Sequence, residues 1–223
     1  MNKNYSYIWI SLIVLVFGIY FVPKIIDRFA DGSAVKSDRL NVANKQELVV
    51  IGKAPSFSFT NQDNQTISSN NYEGKVYLIE FFFSSCPTIC PIMNENMVKL
   101  QNQFHKNDKF AIASITIDPD NDTPEALKKH AADLGATMPN WHFLTGKEAD
   151  IFALAEKFKL YVGKNDEAAG GFEHSGLFAL VDKEGNIRSR KMEGVDYPIM
   201  YYDGTDDAGL QMLKEDIDQL LKE

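Results

Sequence analysis

A buried strand that leads directly into a proline-opened helix is the strongest constraint on how this chain folds. Residues 76–83 read VYLIEFFF, an apolar run broken only by Glu80. Such a run, rich in β-branched and aromatic residues, is typical of a strand covered on both faces. Pro91 then opens a helix that runs to about Phe104, because a proline in the first turn sacrifices no backbone hydrogen bond. The sequence therefore predicts a strand–loop–helix unit of the kind found in α/β folds.

The segments that follow continue the alternation of strands and helices. Strands are predicted at four places and helices at three. The strands cover residues 109–117, 141–144, 177–181 and 187–192, and the helices begin at Thr123-Pro124, at a Thr145–Glu148 capping box and near Asp206. Residues 163–171 are polar and glycine-rich, and we predict that they are mobile. This order of elements, closed by a hairpin and a helix, describes an α/β sandwich.

The N-terminal segment differs from the rest of the chain. Residues 5–22, YSYIWISLIVLVFGIYFV, carry no charge, and their number is at the lower limit for a membrane-spanning helix. A cleaved signal peptide is the alternative, but its apolar region usually spans about 7–15 residues and ends at small residues. We therefore predict an uncleaved single-pass anchor over residues 1–23, a polar tether over 24–48 and a folded domain over 49–223.

Composition and charge narrow the range of functions. The chain has 223 residues, of which 44% are hydrophobic, so one domain can bury a hydrophobic core of normal size without disulfide bonds to stabilise it. The formal net charge of −8 argues against nucleic acid as a partner, since nucleic-acid-binding domains cluster lysine and arginine. Two cysteines cannot form a disulfide scaffold, so a bond between them would serve function rather than stability.

Both cysteines of the sequence, Cys86 and Cys90, lie in the loop between the buried strand and its helix. Two thiols in one loop can exchange electrons as a dithiol and disulfide, or they can hold a soft metal ion together. Each cysteine precedes a proline, which disfavours helical backbone, so Cys90 is predicted to cap the helix with Cys86 in the loop above it. Helix-end N–H groups there favour thiolate over thiol. The residues alone leave both kinds of chemistry open.

The cysteine loop resembles a known family signature. Residues 81–91, FFFSSCPTICP, are similar to the CxxxCP motif of the Sco/SenC family, which are membrane-anchored, thioredoxin-like copper chaperones that help assemble the dinuclear copper centre of cytochrome c oxidase. Residues 118–125, DPDNDTPE, are similar to the acidic turn of that family, and Glu173-His174-Ser175 to the segment that carries its histidine ligand. The resemblance covers about residues 49–221. It implies a thioredoxin-like sandwich with a central mixed sheet, preceded by an N-terminal transmembrane helix.

The resemblance also implies a site, a cargo and a partner. Cys86, Cys90 and His174 would bind copper, since two thiolates suit Cu(I) and one imidazole lets the same site hold Cu(II). Asp118 is implied as a residue that orients the site, and a role of its acidic turn in starting the next helix is the alternative. The implied partner is the copper-bearing subunit of cytochrome c oxidase, and the domain would face the periplasm or another extracytoplasmic space. In many family members an aromatic-Thr-His run precedes the first cysteine. This chain has FSS at residues 83–85 instead, and the difference removes none of the implied copper ligands.

Two enzyme functions are the alternatives to a copper chaperone. One is a thiol–disulfide oxidoreductase that reduces the copper-ligand cysteines of the oxidase subunit, and the weaker one is a peroxiredoxin-like peroxidase. Three residues separate the cysteines, whereas thioredoxin-type redox motifs have two. Thioredoxin-like oxidoreductases also place a proline just before the strand facing the active site, and no proline occurs between Pro139 and Pro198. Both observations favour the chaperone.

Other residues with metal-binding side chains are predicted to be structural. The acidic run at 118–122 lacks the features of a calcium loop, because Thr123 stands where a glycine is needed and Lys129 where the bidentate glutamate belongs. Met93 and Met97 have helical spacing and are predicted to pack in the core. The histidines other than His174 lack soft partners nearby in the sequence and are predicted to be ordinary surface, helix-end or strand residues; these are His105, His130 and His142.

Overall fold

The computed structural model describes residues 11, 14–22, 47–191 and 197–223. The chain divides into two compact units, Met1–Lys45 and Gln46–Glu223. In the first unit the described residues are helical, while most of the predicted anchor and nearly all of the predicted tether lie outside the described residues. Within the described ranges, no helix has the length and apolar character needed to cross a bilayer.

The second unit is built on a mixed sheet. Its strands are β1 (Leu48–Lys53), β2 (Ser58–Asn61), β3 (Thr66–Ser68), β4 (Val76–Phe82), β5 (Phe110–Thr116), β6 (Trp141–Thr145), β9 (Leu177–Val181), β10 (Asn186–Arg190) and β11 (Tyr202–Asp203), with β7 (Val162–Lys164) and β8 (Phe172–His174) forming a separate antiparallel pair. The spatial order is β1-β10-β9-β4-β5-β6-β2-β3, and β11 pairs with β9. Strands β4, β5 and β6 are parallel, and their neighbours run antiparallel to them. The predicted α/β fold with a central mixed sheet is confirmed.

In the described part of this unit, four α-helices accompany the sheet: α1 (Cys90–Phe104), α2 (Pro124–Leu134), α3 (Glu148–Phe158) and α4 (Asp207–Lys222). The Thr123 hydroxyl caps α2 by accepting from the Ala126 N–H at 3.3 Å, as the sequence predicts. The capping box predicted at Thr145 is wrong. Thr145 is the last residue of β6 and pairs with Thr60, so its backbone is committed to the sheet and Lys147 precedes α3 without a side-chain cap.

The centre of the sheet is fully covered. Every residue of β4 and β5 is buried, as expected for parallel strands with helices on both faces. Met93 and Met97 of α1 are completely buried in the same core, so the prediction that they pack there is confirmed. The short strands β7 and β8 were not predicted, since three residues are too few to show a period. They place part of the predicted mobile segment in a hairpin.

The topology brings three separate segments to one edge of the sheet. Strands β4 and β5 are parallel and in register from Val76 with Phe110 to Phe82 with Thr116, so the loops after them leave the sheet at the same edge. Strand β9 runs antiparallel to β4, and its beginning therefore lies at that edge as well. The cysteine loop, the acidic turn after β5 and the segment that precedes β9 meet there, outside the carboxyl ends of the parallel strands where open α/β sheets bind ligands.

Candidate metal centre

Three metal-binding side chains converge at this edge. The Sγ atoms of Cys86 and Cys90 and a ring nitrogen of His174 all lie within 4.8 Å of one another, and they are the one such cluster of three or more histidine, cysteine or acidic side chains in the described part of the chain. The Cys90 Sγ is 3.1 Å from the His174 Nε2. Cys86 is 8% exposed and Cys90 2% exposed, so Cys90 forms the floor of the site and Cys86 its outer side.

Cys90 is the first residue of α1 and is not its cap. Ile89 precedes the helix with a near-helical backbone, and its carbonyl accepts from the N–H groups of Ile92 and Met93, each at 3.1 Å. The prediction that Cys90 caps the helix is therefore wrong. The following proline only disfavours helical backbone at Cys90, and burial of the thiol against the core outweighs that preference.

Cys86 lies in a tight turn rather than in a regular element. Its N–H donates to the Phe83 carbonyl at 3.2 Å, and its Sγ lies 3.5 Å from the Thr88 hydroxyl. Among the three converging residues, Cys86 thus depends on the loop conformation for its position, whereas Cys90 is held by a helix and His174 by a strand.

His174 presents a defined nitrogen to the two sulfurs. Its Nδ1 lies 3.1 Å from the Ser175 carbonyl oxygen, and a carbonyl can only accept, so Nδ1 carries the hydrogen and Nε2 the lone pair. Burial lowers the pKa of His174 even though the Ser175 carbonyl acts in the opposite direction, so the ring is neutral near pH 7. The Phe83 ring packs edge-on against it, with 5.8 Å between ring centroids, and screens one side of the site.

A glycine allows the loop between β7 and β8 to lie close to the Phe83 ring. Gly170 lies between β7 and β8, and a Cβ built there would be 2.6 Å from the Phe83 ring, too close for any other residue. Its φ of +89° also belongs to the region that glycine tolerates and other residues avoid. The close approach of the loop to Phe83 therefore requires glycine at this position.

The two thiols differ in acidity. Burial acts to raise the pKa of Cys86, but hydrogen bonds from Thr88 and from the Cys90 N–H outweigh it, and the pKa lies below the ordinary value of a thiol. Burial raises the pKa of Cys90 strongly, and the neighbouring Cys86 and Glu80 add to the increase. The expected shift of the pKa toward thiolate is therefore found for Cys86 but not for Cys90, because the helix end cannot offset the loss of solvent around the deeper sulfur.

The acidic turn contacts the cysteine loop through Asp122, whereas the family resemblance implies a role for Asp118. Asp118 is buried, and its carboxylate accepts from Asn121 within the same turn at 2.8 Å. Asp122 instead reaches the cysteine loop, where its carboxylate accepts from the Ser84 N–H at 3.0 Å. The spacing of acidic residues did not distinguish the two, since both lie in one turn. A role for Asp118 in orienting the site remains a prediction.

The sequence pattern shows Glu80 only as a break in the apolar run of residues 76–83. Its side chain is completely buried in the sheet. The Oε1 atom accepts from the Ser114 hydroxyl at 2.5 Å, and that hydroxyl in turn accepts from the Trp141 indole N–H at 2.9 Å. The Oε2 atom is buried and has no hydrogen-bond partner among the residues that the structure describes. Burial raises the pKa of Glu80 to about 7, although the Ser114 hydrogen bond opposes the rise.

The donor set fits a soft metal ion. Two sulfurs and one imidazole nitrogen are the ligands that copper and zinc select, whereas calcium and magnesium require oxygen. Three donors bound to one metal ion at about 2.0–2.3 Å lie roughly 3.3–4.0 Å from one another, within the limit of 4.8 Å that these atoms satisfy. Small side-chain shifts therefore suffice to complete the site. The other three histidines are not part of this cluster; His130, for example, packs against the rings of Phe82 and Phe143.

Comparison with known proteins agrees with the resemblance seen in the sequence. The family model described as SCO1/SenC matches residues 49–199. A SCO1 protein homolog from Bacillus subtilis (strain 168) is 39% identical over 135 residues, which are 59% of this chain and 69% of the relative.

Solved structures show the same fold. BsSco, a member of the Sco family of cytochrome c oxidase assembly proteins in which a disulfide switch was identified, aligns with a TM-score of 0.64 and 31% identity over 77% of this chain and 95% of that one. Yeast Sco1 with copper bound aligns with a TM-score of 0.57 and 24% identity over 75% and 89% of the two chains. The family model covers more than half of the sequence, and this chain belongs to the SCO1/SenC family.

Proposed function

We propose that this protein is a membrane-anchored copper-binding chaperone that delivers copper to the dinuclear copper centre of cytochrome c oxidase. The observation that carries the proposal is the convergence of Cys86, Cys90 and His174. The descriptions of BsSco as an oxidase assembly protein and of yeast Sco1 with copper bound support it. Copper is the cargo in this proposal and leaves the protein at each delivery.

The arrangement of the three ligands suits transfer by ligand exchange. Cys86 lies at the outer side of the site in a loop whose neighbours Pro87 and Thr88 are exposed, so an incoming thiolate can approach the metal from that side. Cys90, which is almost fully buried, and His174, which strand β8 positions, hold the ion while the outer ligand is replaced. The neutral His174 ring offers its Nε2 lone pair without first losing a proton, whereas Cys90 must release a proton when copper binds.

A transfer assay tests the proposed function. The full-length chain, purified in detergent, fully reduced and loaded with Cu(I), is mixed with a soluble copper domain of the oxidase subunit, and the copper content of both proteins is measured after separation. We expect copper to move to the oxidase domain, while the reduced, copper-free chain shows little reductase activity toward insulin. Rapid catalytic reduction of insulin without copper transfer would contradict the chaperone and favour the oxidoreductase.

The oxidoreductase remains the second candidate because the two sulfurs are close enough to pair. Both cysteines are free thiols in the structure, and the disulfide switch of BsSco supports a redox role for the pair. Forming the disulfide removes two electrons and two protons from the thiols and passes the electrons to an oxidant. The product has no thiolate left to bind copper. In our proposal the disulfide therefore switches copper loading off and is not a catalytic intermediate.

The proposed anchor rests on residues 5–22 and has its own test. If this segment spans the membrane, the full-length protein will remain in the membrane fraction after a carbonate wash, since extraction by alkali releases only peripheral proteins. A thiol reagent that cannot cross membranes will label the cysteines in cells whose outer membrane has been permeabilised and which are otherwise intact. A soluble form of the protein that begins after about residue 23 would show that the segment is cleaved instead.

A further inference from the structure

Asp122 is held rigidly at the edge of the sheet. Its backbone N–H donates to the Asp118 carbonyl at 2.9 Å and closes the turn after β5, and the next residue, Thr123, caps α2. The side chain is only 1% exposed. Polar side-chain oxygens buried to this degree are stable only if hydrogen bonds replace their hydration.

Those hydrogen bonds come from the cysteine loop and from β5. The Oδ2 atom accepts from the Ser84 N–H at 3.0 Å and from the Thr116 hydroxyl at 2.5 Å, while Oδ1 accepts from the Ser84 hydroxyl. The Thr116 hydroxyl also accepts from the Asp118 N–H at 3.0 Å. One carboxylate thus holds both the backbone and the side chain of Ser84, the second residue after β4.

Ser84 determines where the loop that carries Cys86 leaves the sheet. It lies two residues before Cys86, inside the turn that the Cys86 N–H closes onto the Phe83 carbonyl. Cys90 has helix α1 and His174 has strand β8 to position them. The contact with Asp122 therefore helps to fix the outer sulfur relative to the sheet, together with the hydrogen bond from the Cys86 N–H to the Phe83 carbonyl.

We propose that Asp122 is a positioning residue of the metal site, which acts through Ser84 on Cys86 and leaves Cys90 and His174 unaffected. The inference rests on the proposed copper binding and adds to it a residue that does not touch the metal. Hydrogen bonds that orient metal ligands typically change metal affinity by about 10- to 100-fold when they are removed. The structure places Asp122 in that role for the ligand that has no regular element of its own.

The experiment measures Cu(I) affinity of the reduced, full-length chain in detergent by competition with a chromophoric chelator. We expect Asp122→Asn to weaken Cu(I) binding about 10- to 100-fold. The matched control is Asp216→Asn, another buried carboxylate that accepts hydrogen bonds from Tyr202 and Arg190 and none from the cysteine loop. The control will lower the stability of the apo-protein but leave its Cu(I) affinity within about threefold of the wild type. This change is smaller than the change in affinity of about 10- to 100-fold expected when a bond that orients a ligand is removed.

A thermodynamic cycle separates positioning from general damage. In a Cys86→Ala background the outer ligand is gone, so Asp122→Asn will produce no further loss of the residual Cu(I) affinity. Equal losses in both backgrounds, or wild-type affinity in the single variant, would overturn the inference. If the wild type itself fails to bind Cu(I), the proposed function fails instead.

A second variant keeps the test decisive if Asp122→Asn does not fold. Ser84→Ala removes one of the two hydrogen bonds between the loop and the carboxylate and retains the backbone bond. We expect a loss of Cu(I) affinity of about tenfold, the lower end of the range for such bonds, again only while Cys86 is present. If Ser84→Ala binds Cu(I) with unchanged affinity and shows the same Cu(II)–thiolate absorption as the wild type, this result would also contradict the proposal.

Discussion

Replacing Cys86 and Cys90 together by alanine is expected to abolish copper binding. The wild-type chain, purified in reduced form, should retain about one copper ion after gel filtration, because two sulfurs and one nitrogen converge within 4.8 Å. The double variant keeps only the His174 imidazole, and a single ligand does not hold a soft metal ion against a competing buffer. Metal analysis of the eluted protein measures the difference.

Two controls make this result specific. Circular dichroism and thermal unfolding of the apo-protein should change little, since each substitution removes only one sulfur atom from the edge of a large core. His130→Ala removes a histidine that packs against Phe82 and Phe143 and lies outside the cluster, so this variant should keep its copper. Equal copper content in the wild type and in the double variant would refute copper binding at this site.

The second large effect concerns stability and pH. Burial raises the pKa of Glu80 to about 7 from an ordinary value of 4.5, so the folded protein binds a proton here that the unfolded chain has already released. Stability from this group is therefore fully present below about pH 4.5 and is lost as the pH rises to about 7. At about 1.4 kcal/mol per pH unit, the total loss is about 3 kcal/mol.

Glu80→Gln should remove this dependence, since the amide has a similar shape and does not ionise. The free energy of unfolding of the apo-protein, from urea titrations under reducing conditions between pH 4.5 and 8, will show the variant gaining about 3 kcal/mol relative to the wild type as the pH rises. At the acidic end the variant will be no more stable than the wild type, because its amide N–H₂ occupies the place of the unpartnered Oε2. A stability difference that does not change with pH would contradict a buried, protonated Glu80.

Several elements were predictable because local patterns determine them. The run from Val76 to Phe83 is rich in β-branched and aromatic residues and favours a covered strand, and Thr123 with Pro124 carries both a cap and a starting residue for α2. The hairpin of β9 and β10 and the last helix likewise follow from their periods and turn residues. The sequence-based predictions were wrong where tertiary contacts outweigh the local conformational preference of the residues. Thr145 joined the sheet through its pairing with Thr60 and could not cap α3.

The candidate site shows the same division. The sequence by itself determined that Cys86 and Cys90 lie together, because they share one loop, whereas His174 was predicted only through the family resemblance. Only the tertiary structure decided that Asp122, and not Asp118, contacts the cysteine loop, and that Cys90 is the deeper and less acidic thiol. Both depend on which atoms are packed together and shielded from water, and these are set by the register of β4 against β5, a long-range pairing that no local pattern encodes.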